Sequence, residues 1–180
     1  DSMPNDEIDA WKDREEFIIQ PQLGTYYISF NTQREPLNDP RVRKALTLAI
    51  DREYICTQIG KAGQQPAGAF VPTGLSDADP TKEFREVGGD YYDPSAEAYE
   101  ANLEEAKKLL AEAGYPNGFK TKIVTTERYA KGVELAEILA AQFAEIGVEA
   151  EIQVVEWSAF VQSISGLTPE EFDWPIFIMG

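Results

Sequence analysis

The second half of the chain alternates two hydrophobic periods, and that alternation restricts its fold more than any other feature. "NLEEAKKLLAEAG" places Leu103, Ala106, Leu109, Leu110 and Ala113 at helical spacing, then stops on Gly114 and Pro116. Asn102 and Glu105 have the spacing of a capping box. "KTKIVTT" reads as a strand. "KGVELAEILAAQFAEIG" is a second helix, with Val133, Leu135, Ile138, Leu139, Phe143 and Ile146 inward and Gly147 as its stop. "VEAEIQVVEW" is a strand, "SAFVQSIS" a short helix and "WPIFIMG" a last strand. Helix and strand in strict turn predict an α/β layer, a mixed and mostly parallel sheet flanked by helices.

The first half is less regular. "EFIIQP" reads as a short strand closed by Pro21. In "GTYYISFNT", Tyr26, Ile28 and Phe30 share one face and suit a core, while Tyr27, Ser29 and Asn31 share the other and suit water or a ligand. In "NDPRVRKALTLAIDREYI", Asp39 is placed as an N-cap and Pro40 at the first helical position. Val42, Ala45, Leu46, Ala49 and Ile50 make the buried stripe. Asp51 caps a further helix carrying Ile55 and Ile59 and ended by Gly60 and Gly63. From Gln64 to Pro94 no period holds, and prolines and glycines recur.

Charge and composition narrow the function. Acids outnumber bases 32 to 16, a net charge of −16, which disfavours nucleic acid and anionic membrane faces as partners. With no histidine and one cysteine, Cys56, the chain lacks the usual general base, a disulfide framework and a cysteine zinc cluster. No metal and no cofactor is expected. No apolar run approaches the roughly 18 residues of a membrane span, so no membrane insertion by this segment is expected. Glu149, Glu151 and Glu156 near a strand end read as solvated acids rather than a catalytic pair. A calcium loop started at Asp77 would put Lys82 and Gly88 where glycine and glutamate are required. An enzyme is therefore not expected. Arg41, Arg43 and Lys44 oppose the helix dipole and are expected to pair with nearby acids. In open α/β sheets ligands gather at the carboxyl ends of strands, here Asn31–Thr32, Thr125–Thr126, Glu156–Trp157 and Met179–Gly180.

"GTYYISFNTQREPLNDPRVRKALTLAIDREYI", with "AGAFVPTGL" and "AKKLLAEAGYPNGF", resembles the signature of the solute-binding proteins of peptide and nickel ABC transporters. The matching positions are Tyr26, Tyr27, Asn31, Pro36, Asp39, Arg41, Val42, Arg43, Ala45, Leu46, Ala49, Ile50, Asp51 and Arg52, and the likeness runs from about Glu7 to Gly180. The resemblance implies a periplasmic-binding-protein type II clamp in which two lobes close on an extracellular oligopeptide and deliver it to ABC permease subunits. It implies a protein outside the cytoplasm, periplasmic or lipid-anchored. The abrupt start and finish suggest that residues 1–180 are a single α/β domain, the C-terminal lobe, with the N-terminal lobe as its partner. A Trp-x-x-Asp segment that holds a peptide's amino terminus in the family would follow Gly180. Its known ligands leave nickel, haem or a sugar oligomer as alternatives, and a surface chaperone or regulatory domain is a rival of another class.

Residue by residue, the resemblance places Tyr27, Ser29 and Asn31 on the strand facing the cleft, and Thr126, Tyr129 and Lys131 in a turn approaching the ligand. It sets Trp157 in a side-chain pocket. Ile178, two before Gly180, falls where some members carry an arginine for the peptide carboxylate, and Lys61 is a substitute charge. Asp39, Arg41, Arg43 and Asp51 are read as structural.

Overall fold

In a computed structural model of the chain, residues 4, 7–129, 131–168 and 171–179 are described. In chain order the elements are α1 (Ile8–Trp11), β1 (Tyr27–Phe30), α2 (Pro40–Leu48), α3 (Arg52–Tyr54), a π-helical turn (Ile55–Gly60), α4 (Phe84–Gly88), α5 (Tyr99–Glu112), β2 (Lys120–Thr126), α6 (Gly132–Ala144), β3 (Glu149–Val155), α7 (Trp157–Gly166) and β4 (Ile176–Met179). Cα packing divides them into two compact units, Asp1–Thr25 with Asp51–Glu97 and Tyr26–Ile50 with Ala98–Gly180.

The second unit holds the sheet. Its strand order is β1-β4-β2-β3, with β2 parallel to both β3 and β4 and β1 antiparallel to β4. The expected mixed, mostly parallel sheet is present. Ile123, Val124, Thr125 and Thr126 of β2 are all buried, as a central strand covered on both faces requires. α6 packs on β2 and β3, burying Ala136, Leu139 and Phe143. α2 packs on α5, and the expected stripe of α2 is buried in full. Asp39 caps α2 through the Arg41 N–H at 2.8 Å. α5 ends as read: Gly114 is left-handed at φ 96° and the Tyr115 N–H returns to the Leu110 carbonyl at 2.8 Å.

Several expectations fail locally. α5 starts three residues before Asn102, and its N-cap, Ala98, makes no side-chain bond, so Asn102 and Glu105 form no capping box. Tyr26 precedes β1 and is 72% exposed rather than core. Residues 17–21 are not a strand, because no neighbouring strand takes up their main-chain groups, and Ile18 and Ile19 lie exposed.

The first unit is mostly irregular, as its composition predicts. Asp51 caps α3 through the Tyr54 N–H at 2.9 Å, but the helix widens at once into the π-helical turn. That turn ends at Gly60, as expected, and the left-handed conformation falls on the next residue, Lys61. Long-range ties substitute for regular structure: the Thr25 hydroxyl donates to the Phe70 carbonyl at 2.8 Å, and Arg52 lies over the Tyr92 ring at 4.9 Å. Among the described residues no helix is long and apolar enough to cross a membrane.

Candidate functional site

The register decides which strand ends meet. Tyr27 pairs with Met179, and Thr126 with Val155, so the amino end of β1 shares an edge with the carboxyl ends of β4, β2 and β3. Asn31 lies at the opposite edge, where its N–H donates to the Pro175 carbonyl at 2.8 Å. The grouping of Asn31–Thr32 with the other carboxyl ends is therefore corrected. A carboxyl end belongs to the common edge only if its strand runs parallel, and β1 does not.

Alternation then sorts the sheet faces. Tyr27 and Ser29 pair with Met179 and Phe177, which pack with Val124 and Val155 around buried Phe160 and Trp174. Ile178 pairs with Ile28, one residue out of step, so it faces the other side of the sheet and is 4% exposed. Gly180 lies outside the described residues.

At the common edge the turn after β2 meets the start of α7. The Tyr129 N–H donates to the Thr126 carbonyl at 3.3 Å, and the Gly132 N–H to the Tyr129 carbonyl at 2.9 Å. Tyr129 and Trp157 are half-buried and meet edge-on, their centroids 5.8 Å apart. Trp157 stacks on Phe160 at 6.0 Å and 10°. Arg128, exposed, lies over the Trp157 ring at 5.2 Å. A guanidinium held over an indole face still has N–H groups with which to receive a carboxylate.

The neighbouring acid does not occupy that position. Glu156 caps α7, accepting from the Ser158 hydroxyl, the Ser158 N–H at 2.8 Å and the Ala159 N–H at 3.3 Å. Those donors, the Ser158 hydroxyl first, hold its carboxyl below the usual glutamate range.

Other expected residues sit elsewhere or are engaged. Thr126 is buried. Lys131, left-handed at φ 61°, pairs with Glu134 at 3.0 Å. Lys61, in the first unit, pairs with Asp9 at 2.8 Å. The expected acidic partner exists for Arg41, which pairs with Asp39 at 2.6 Å and also donates to the Glu112 carbonyl at 2.7 Å. Arg43 instead donates to the Leu37 and Asn38 carbonyls at 2.8 and 3.0 Å. Both carbonyls belong to the segment that leads into α2. Arg128 was not foreseen. Its position two residues past a strand end was a usable signal, but its partner Trp157 becomes visible only once β2 and β3 are known to be parallel neighbours.

The model of "Bacterial extracellular solute-binding proteins, family 5 Middle" matches residues 1–180. The chain belongs to that family. Among family 5 relatives, the dipeptide-binding protein DppE of Bacillus subtilis strain 168 is 30% identical over 169 residues, 92% of this chain and 30% of its own length. The heme-binding protein A of Haemophilus influenzae is 33% identical over 150 residues, 81% of this chain and 25% of its own length. The Escherichia coli murein tripeptide binding protein MppA superposes with a TM-score of 0.78 at 26% identity, covering 99% of this chain and 33% of MppA. The chain thus spans between a quarter and a third of the length of these relatives. Family 5 is a family of solute-binding proteins, and the four-stranded mixed sheet with its helices matches part of the MppA fold.

Proposed function

We propose that this chain forms one wall of a cleft that captures extracellular oligopeptides for an ABC importer. The remaining wall would come from another lobe of the same protein, and delivery would be to membrane permease subunits outside the cytoplasm. The observation that carries it is Arg128 over Trp157 at the common strand edge, with Tyr129 meeting the indole edge-on. An aromatic floor carrying an exposed guanidinium suits a flexible solute ending in a carboxylate. The site binds without reacting, and bridging water lets it accept varied side chains. DppE and MppA, by their names, bind a dipeptide and a murein tripeptide, which supports the same cargo class.

The test is titration of the chain with trialanine and with trialaninamide, followed at the indole N–H resonances of Trp11, Trp157 and Trp174. Trialanine should shift the Trp157 resonance, and the amide should bind about tenfold more weakly, the worth of one charge-assisted bond. Arg128→Gln should abolish that preference. Equal response to both peptides, or no response at Trp157, overturns the carboxylate assignment. A haem cargo is the second reading, favoured by the likeness to heme-binding protein A. A shifted haem absorption band, with no response to trialanine, would select it.

A further inference from the structure

Asn31 lies across the sheet from this edge, yet it is 8% exposed and engaged on all sides. Its Nδ2 donates to the Phe172 carbonyl at 2.8 Å, and its Oδ1 accepts from the Gln33 N–H at 3.1 Å. Its main-chain N–H donates to the Pro175 carbonyl at 2.8 Å, and its carbonyl accepts from the Arg34 N–H at 3.2 Å. The partners fix the orientation of the amide: only nitrogen can face a carbonyl, and only oxygen can face an N–H. Asn31 thus clamps residues 172–175 at both ends of one short turn.

That turn supports the aromatic stack. Phe172 lies 5.5 Å from Trp174 and 5.2 Å from Phe177. Trp174 lies 5.3 Å from Phe160, on which Trp157 stacks. Close-packed rings transmit displacement because no void absorbs it. Resting on the assignment of Trp157 and Arg128 to the solute, we propose that Asn31 is a positioning residue. By holding the Phe172 carbonyl, it sets the turn that seats Trp174 and Phe160, and through them the height and tilt of Trp157. Its amide reaches the solute only through that stack.

Asn31→Asp tests this at one atom. The carboxylate keeps the acceptor for the Gln33 N–H but turns an oxygen, not a donor, toward the Phe172 carbonyl. Expected are a near-UV circular dichroism spectrum with altered tryptophan bands, a moved Trp157 indole resonance, unchanged far-UV signal, and trialanine affinity lowered about tenfold. Phe172→Leu retains the carbonyl and removes the ring. Because both changes act through one stack, the double variant should bind trialanine no more weakly than the worse single variant. An Asn31→Asp chain with native aromatic bands, or losses that multiply in the double variant, overturns the proposal. Should Asn31→Asp not fold, Phe172→Leu alone decides: an unmoved Trp157 resonance breaks the link from turn to stack. Failure of the cargo assignment is separate, since it appears in the unsubstituted chain as absence of any trialanine response.

Discussion

Three arginines carry the same charge into three different tasks. Arg41 pairs with its capping aspartate at the start of α2 and reaches the last carbonyl of α5, that of Glu112. Cations there favour the negative helix end. Arg43, half-buried, satisfies the carbonyls of Leu37 and Asn38, and Leu37 is fully buried. Arg128 alone of the three stands over an aromatic face at the strand edge. Arg43→Ala should cost about 1–3 kcal/mol, because it strands a buried carbonyl, as read by urea unfolding. Its trialanine affinity should stay within about twofold of the parent, since the charge serves the loop and not the edge. A loss of affinity without loss of stability would return Arg43 to the binding surface. Which task each arginine has was partly legible: Asp39 beside Arg41 announces a pair, whereas the carbonyls that engage Arg43 come from a bend no pattern encodes.

At the scale of elements, the chain's periodic segments formed where their spacing placed them, and their ends followed local chemistry. β2 coincides with "KTKIVTT", and α6 ends at Ala144, three residues before Gly147 turns left-handed at φ 82°. The failures cluster where local signals compete with tertiary ones. Asp51 begins a helix correctly, but the helix continues as a π-turn whose left-handed exit falls on Lys61, a residue with no special liking for it. "EFIIQP" has strand composition but no partner strand. Gly118 is the element-level position most tightly determined. A Cβ there would overlap the Gly147 carbonyl oxygen, and both glycines have positive φ, 73° and 82°. The two turns that launch β2 and β3 touch main chain to main chain, and the Glu149 N–H donates to the Phe119 carbonyl at 2.9 Å. Gly118→Ala should therefore lower stability by more than the roughly 1 kcal/mol of an ordinary backbone penalty. Thermal unfolding by circular dichroism checks it, and an unchanged midpoint would mean the turns separate freely.

The whole molecule is governed by its charge and by the direction of its strands. A net charge of −16 on 180 residues repels itself at low ionic strength. Raising sodium chloride from about 10 to about 150 mM shortens the screening length from about 30 to about 8 Å. The melting temperature should rise by a few degrees over that range in calorimetry, and a flat response would show the charges already paired. Acidity, the lack of histidine and the alternation of helix and strand were available from residues alone, because each is a sum or a period along the chain. So was the family, carried by a signature around α2 whose side chains hold that helix in place. The proposed binding edge was not. Tyr27 and Thr126 lie at that edge, where Tyr129 meets Trp157; Asn31 lies at the opposite edge, Ile178 faces the other side of the sheet, and Arg128 joins unannounced. What separates them is the antiparallel run of β1 and a one-residue register, properties of pairing between distant segments. Hydrophobic period tells a strand which faces to cover, but only its hydrogen-bonded neighbour decides which end, and which face, a side chain shares with the rest.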